Sequence, residues 1–186
     1  MMNVRTPWPQ PFNSDFGDSL VYRLFVAGGR GFAVGFEFIE TVNDISCKGI
    51  NIFSAHSAFR YPAGGVWGII FDEIDPVSMS FKDFQHIEHA GLISGRVLLH
   101  VASAIIDHYN ACGAGAYVFS AAVDKNHIRR ADLVILYDGQ LGLNGKAKSK
   151  LFRDYFVGWE AWSNTSTGGR DYVITTASDA WRDAIC

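Results

Sequence analysis

Residues 94–142 constrain the fold of this chain more than any other stretch, because two helical patterns there flank one short apolar run. Apolar residues recur at helical spacing over 94–109, and helical spacing returns over 128–137. Between them, 116–123 is almost entirely apolar and uncharged, as expected of a strand covered on both faces. A helix, a buried strand and a second helix in direct succession predict helices packed on a sheet.

The first predicted helix has a continuous apolar face. Val97, Val101 and Ile105 recur every four residues and are expected to face the core. Ser94 is expected to cap its start, and Gly113 follows its end at a position that suits a positive φ.

The second predicted helix is shorter and has fewer inward positions. Ala131, Val134 and Ile135 are expected to face the core, with Gly139 and Gly142 at the end of the helix.

The rest of the chain predicts further strands around this core. Period-two patterns and turn residues predict strands over 20–26, 32–39, 66–71, 155–162 and 171–176. The tract 41–65 does not divide clearly, although a short strand near 50–53 is compatible with it. We therefore expect an α+β fold, with a mixed, mostly antiparallel central sheet and packed helices in the order β-β-β-α-β-α-β-β.

The sequence predicts less regular structure at both ends of the chain and in one internal segment. Residues 1–19 hold prolines at alternate positions, which predicts an irregular N-terminal arm before a single domain over 20–186. Residues 77–93 predict a loop, and 177–186 are compatible with a short helix.

Charge and cysteine content restrict the function classes. The net charge is −3, and the basic residues cluster only at Lys146, Lys148, Lys150 and Arg153, in a predicted loop, which disfavours nucleic-acid binding. The three cysteines are scattered without metal-ligand spacing, as in a reducing compartment. We see neither a signal segment nor an apolar run of membrane-spanning length, and expect a soluble cytoplasmic protein or one carried in a particle assembled in the cytoplasm.

The histidines do not predict a metal site. His86 and His89 have a His-x-x-His spacing, but the spacing implies no third ligand, and both are interpreted as surface residues. His100 and His108 are interpreted as polar residues flanking the apolar face of the long helix.

One motif resembles the GNAT superfamily of N-acetyltransferases. In that superfamily a strand is followed by a helix with an Ala…Leu-Tyr-x-x-x-Gly-Phe signature. Ala131, Leu136, Tyr137 and Gly142 can be laid onto it, with one extra residue before Gly142 and with Leu143 in the Phe position. The resemblance implies a GNAT-like fold, and it implies that Tyr137 protonates the departing thiolate of acetyl-CoA. The structural alternative is that Tyr137 is a packed aromatic residue.

The same resemblance implies a site for the cofactor. The superfamily binds acyl-CoA with a Gln/Arg-x-x-Gly-x-Gly/Ala loop, and Gly91, Gly95 and Arg96 supply its residue types without its spacing. Glu73, at the end of the third predicted strand, is the candidate base. The alternatives are that the two glycines only shape a loop and that Glu73 belongs to a solvated acidic strand end.

A second likeness is to small uncharacterised proteins of tailed bacteriophages. It rests on Phe119-Ser120-Ala121, Arg130 and Leu136-Tyr137. Together the two likenesses predict a phage-type protein with a GNAT-like fold, degenerate in acyl-CoA binding, that acts as a binding or virion-associated protein. The alternative is an active acyl-CoA-dependent N-acetyltransferase with acetyl-CoA as its cofactor.

Aromatic residues outside the predicted core suggest a protein partner or self-association. Tryptophan and phenylalanine are typical of protein interfaces. The residues concerned are Trp8, Phe12, Trp159, Trp162 and Trp181.

Overall fold

A mixed sheet forms the centre of the computed structural model, which describes residues 20–75, 91–122 and 133–177. In these residues the strands are β1 Leu20–Ala27, β2 Arg30–Ile39, β3 Val66–Glu73, β4 Ala116–Ser120, β5 Glu160–Ser163 and β6 Asp171–Thr175. They form one six-stranded sheet in the order β1-β2-β3-β4-β6-β5. Neighbouring strands are antiparallel except β3 and β4, which are parallel. The predicted α+β class with a mixed, mostly antiparallel sheet is confirmed.

Helices pack on both faces of this sheet. The α-helices of the described residues are α1 Val42–Cys47, α2 Ile52–Ala55, α3 Gly91–Cys112, α4 Leu133–Leu141 and α5 Lys150–Tyr155, and Thr165–Thr167 is a 3-10 turn. One hydrophobic cluster joins α3, α4 and α5 to one face, and a second joins α1 and α2 to the other. None of the described helices is long and apolar enough to cross a membrane.

The first two predicted strands, β1 and β2, form a hairpin. Gly28 and Gly29 have φ values of 59° and 76°, as a two-residue turn with positive φ at both positions requires. Phe32, Val34 and Phe36 alternate along β2 and are buried on the face covered by α3.

The suggested strand near 50–53 is wrong, because helix caps organise this tract. The Asn51 side chain accepts a hydrogen bond from the backbone N–H of Ser54 at 3.1 Å, which begins α2. Thr41 and Asp44 form a reciprocal capping box that begins α1. Ile45 and Ile52 are buried and hold these two short helices on the sheet.

The strand predicted over 155–162 is also mostly wrong. Ser149 accepts a hydrogen bond from the Phe152 backbone N–H at 3.0 Å and starts α5, which runs to Tyr155. A turn with Gly158 at a φ of 78° follows, and the strand itself covers only Glu160–Ser163. Lys150 and Arg153 of the basic cluster therefore lie in a helix rather than in a loop.

Helix α3 is longer than predicted, but its apolar face is as expected. Val97 and Ile105 are buried, and Val101 packs against them as a partly buried residue. Ser94 lies inside the helix instead of capping it, because the helix already begins at Gly91. Gly113 follows the last turn with a φ of 62°, as predicted.

Helix α4 differs from its predicted pattern at two positions. Ile135, which was expected to face the core, has 59% of its surface exposed. Gly139 lies within the helix, whereas Gly142, with a φ of 73°, follows its end. Val134 packs on the core as expected.

Several predictions lie outside the described residues. These are the arm over 1–19, most of the loop over 77–93, the strand end and helix start over 123–132, most of the tail over 177–186, and the side chains of Trp8, Phe12, His86, His89, Arg130, Ala131, Trp181 and Cys186.

Candidate functional site

The sheet opens between its two parallel strands. β3 and β4 pair only from Val66 with Ala116 to Gly68 with Val118. Beyond this point β3 stays paired with β2 as far as Glu73, while β4 stays paired with β6. The two strands therefore separate, and a gap is left in the centre of the sheet.

A cavity of about 710 Å³ occupies this gap. Most of the described side chains around it are aliphatic or aromatic. Its described lining consists of Phe32, Glu37, Lys48, Ile50, Gly68, Ile69, Ile70, Phe71, Asp72, Glu73, Leu98, Val101, Ala102, Ile105, Val118, Phe119, Ser120, Ala122, Leu133, Tyr137, Gln140, Leu141, Leu151, Phe152, Phe156 and Ile174. A volume of this size can hold a small-molecule ligand.

The cavity extends through the sheet and differs chemically on its two faces. On the α1 face, Lys48 and Glu37 form an ion pair at 2.6 Å, and both border the cavity with Ile50. On the α3 face the walls come from helices, with Ile105 on α3 and Phe152 on α5 as examples. The cavity therefore has charged residues on the α1 face of the sheet and a mainly apolar wall on the α3 face.

Tyr137 lies at this cavity, as the predicted catalytic role requires. Its ring makes edge contacts with Phe119 on β4 and Tyr172 on β6, at centroid distances of 5.3 and 5.6 Å. Burial raises the pKa of the Tyr137 phenol to about 12, and the negative charge of Asp72 adds to the shift. Tyr137 is therefore protonated at neutral pH and can donate a proton inside the cavity.

Two neighbouring carboxylates at the end of β3, those of Asp72 and Glu73, have different interactions. Glu73, the base candidate from the sequence, lines the cavity but forms an ion pair with Arg30 of β2. Asp72 also lines the cavity, accepts a hydrogen bond from the Glu73 backbone N–H at 2.7 Å, and acts electrostatically on Tyr137. Asp72 is therefore the carboxylate at this strand end whose charge acts on the Tyr137 phenol. Neighbouring residues of a strand point to opposite faces of the sheet, so the sequence alone could have placed Asp72 and Glu73 on different faces. The position of Tyr137 across the gap could not be read from the sequence.

The predicted cofactor residues do not form a loop. Gly91, Gly95 and Arg96 all lie in the first turns of α3. In a regular helix the N–H of Gly95 bonds to the carbonyl of Gly91, so it is not one of the amides left open at the helix start. Gly95 and Arg96 are exposed, and neither is among the described residues that line the cavity.

A buried polar cluster that sequence reasoning missed fixes α4 against the sheet. Asp138, only 5% exposed, accepts hydrogen bonds from the Tyr172 hydroxyl at 3.1 Å and from Asn144 Nδ2 at 2.8 Å. Burial, followed by the charge of Asp138, raises the pKa of the Tyr172 phenol. Because Asp138 directly follows Tyr137, these bonds also hold Tyr137 at the cavity.

His108 is wholly buried, which corrects its interpretation as a polar flanking residue. Its ring stacks on Phe36 at a centroid distance of 4.2 Å, and Nδ1 lies 2.8 Å from the Tyr117 hydroxyl. Burial lowers the pKa of His108 to about 4. His100, in contrast, is exposed and stacks on Phe25 at 4.9 Å.

The comparisons with known proteins add no relative. No family model, curated protein or solved structure matches this chain. The described residues also contain no group of three or more His, Cys, Asp or Glu side chains that could hold a metal ion. The function is therefore inferred from the cavity and from the residues that line it.

Neither Trp159 nor Trp162 is a fully exposed residue. Trp159, expected at a partner surface, is 3% exposed and belongs to the core, where it stacks on Tyr117 at 5.7 Å. Trp162 is partly buried and stacks on His56 at 4.1 Å. Cys47 and Cys112 are free thiols, in keeping with the scattered cysteine pattern.

Proposed function

We propose that the protein is an acyl-CoA-dependent N-acyltransferase that binds the thioester between β3 and β4. The separation of these parallel strands after three residue pairs carries the proposal. The sheet order and the crossover of α3 from β3 to β4 support a GNAT-like fold, in which acyl-CoA enters a gap of this kind.

The open strand edge suits the pantetheine arm of CoA. The ladder between β3 and β4 ends at Gly68, so that Ile69, Ile70 and Phe71 form no ladder pair with β4 among the described residues. An extended ligand with amide groups can bond to such an edge as an added strand would. The pantetheine arm has two amides and an extended form, so it matches this requirement.

Tyr137 and Asp72 supply the proton transfers. The amine nitrogen attacks the thioester carbonyl, and the C–S bond breaks. Tyr137 gives its proton to the departing sulfur, and Asp72 accepts a proton from the amine, directly or through a water. Both side chains line the cavity, and the Asp72 charge acts on the Tyr137 phenol.

Calorimetry with acetyl-CoA tests this proposal. We expect acetyl-CoA to bind in a one-to-one complex and to stabilise the fold by about 2.7 kcal/mol at a concentration one hundred times the Kd, which a thermal shift detects. Adenosine 3′,5′-bisphosphate, the nucleotide part of CoA without pantetheine, is the control and should bind much more weakly. Absence of both heat and thermal shift with acetyl-CoA would contradict the proposal.

A second candidate is a non-enzymatic binding protein of a phage, present in the host cytoplasm or the virion. One observation favours it: Gly95 and Arg96, the residues expected on the CoA pyrophosphate, are exposed in α3 and do not line the cavity. The cavity would then be a recognition pocket for a protein partner or another molecule. The calorimetric result decides between the two candidates.

A further inference from the structure

We infer that the acyl group is a medium-length aliphatic chain rather than acetyl. This inference rests on the proposed function, because it concerns the substrate class of the same cavity. It follows from the chemistry of the cavity walls and from the length of the apolar face that α3 presents to the cavity.

One wall of the cavity is a continuous apolar face of α3. Leu98, Val101, Ala102 and Ile105 line it from the same helix. At 1.5 Å per residue, the rise from Leu98 to Ile105 is about 10 Å, which an extended chain of about eight carbons would span. A two-carbon acyl group would touch only a small part of this wall.

The facing wall is equally apolar. Leu151, Phe152 and Phe156 line it from α5 and the residue after it, with Leu141 of α4 beside them. Of the four charged lining residues, Glu37 and Lys48 belong to β2 and to the residue after α1, on the other face of the sheet, and Asp72 and Glu73 lie at the end of β3. An aliphatic chain between α3 and α5 would therefore meet mainly carbon.

Covering the apolar face of α3 with an aliphatic chain is energetically favourable. Each methylene that is buried against it strengthens binding about fourfold.

A series of acyl chains tests the inference. Titration calorimetry would measure the Kd of free CoA and of acetyl-, butanoyl-, hexanoyl- and octanoyl-CoA with the full-length protein. Octanoyl-CoA has six more methylenes than acetyl-CoA, and we expect it to bind at least about 30-fold more tightly, because only part of the transfer gain is realised on binding.

Two substitutions on α3 test where the acyl chain binds. Ala102→Leu fills the cavity and should remove most of the gain for octanoyl-CoA while leaving the Kd of acetyl-CoA within about threefold. Ser103→Leu is the matched control, since Ser103 is the next residue and is not among the described residues that line the cavity. The wild-type series alone decides the inference if Ala102→Leu does not fold.

The possible results distinguish a failure of the chain-length inference from a failure of the acyltransferase proposal. A Kd that does not change along the series overturns the inference and supports the acyltransferase proposal. A series in which neither CoA nor any acyl-CoA binds overturns both. A Kd that falls with chain length in wild type and in Ser103→Leu, but not in Ala102→Leu, supports the inference.

Discussion

Replacement of Tyr137 by Phe should lower the rate of acyl transfer at least about 100-fold, which is the usual lower range for a general acid. The change removes the hydroxyl that protonates the departing thiolate and keeps the ring that packs against Phe119 and Tyr172. The Kd for acyl-CoA should therefore change by less than about threefold. Steady-state kinetics with a primary amine acceptor, together with calorimetry, measure both quantities.

The controls for this experiment come from the same chain. Tyr155→Phe removes a hydroxyl from a tyrosine that is 44% exposed at the end of α5, and should leave kcat unchanged. Asp72→Asn should lower kcat at least about tenfold if Asp72 accepts the amine proton. A Tyr137→Phe variant with wild-type kcat would remove Tyr137 from the mechanism.

Acidification should destabilise the fold through His108. Its pKa is about 4 in the folded protein and near 6.5 when unfolded, so the unfolded chain binds the proton more readily. The stability that neutral His108 provides is complete above about pH 6.5 and is lost as the pH falls toward 4. Between pH 7 and pH 4 this group alone should lower the free energy of unfolding by about 3 kcal/mol.

The variant His108→Gln isolates this effect from the carboxylates, which also titrate in this range. Glutamine keeps hydrogen-bonding capacity toward the Tyr117 hydroxyl but has no titrating group. Urea denaturation at several pH values should show the stability of wild type falling by about 3 kcal/mol relative to the variant between pH 7 and pH 4. A difference that stays constant over this range would show that His108 protonates equally in both states.

The sequence was most informative where periodicity is strong. Val97 and Ile105 identified the inner face of α3, and the uncharged run at the start of β4 identified a strand covered on both sides. The short helices α1, α2 and α5 were missed, because side-chain caps at Thr41, Asn51 and Ser149 define them rather than a repeated apolar pattern. Such caps can be recognised in a sequence, and the pair Thr41 and Asp44 was a readable signal.

The site was less predictable, because it depends on contacts between distant segments. Tyr137 was identified by resemblance and lies at the cavity, but no local pattern shows that β3 and β4 separate after Gly68. The ion pair that holds Glu73 joins it to Arg30, 43 residues away. The burial of His108 likewise requires Phe36 and Tyr117 from two other strands.

The most direct test of the central claim is amide hydrogen exchange with and without saturating acyl-CoA. Amides of 69–71 that point into the gap form no ladder pair with β4 among the described residues, and bonding to pantetheine should slow their exchange. Amides of 32–36 pair with β1 and β3 on both sides and serve as the control, with little change expected. Slowed exchange at 69–71 and around Phe119 is the predicted result. Ligand binding that leaves both segments unchanged would contradict the assignment of this gap as the acyl-CoA site.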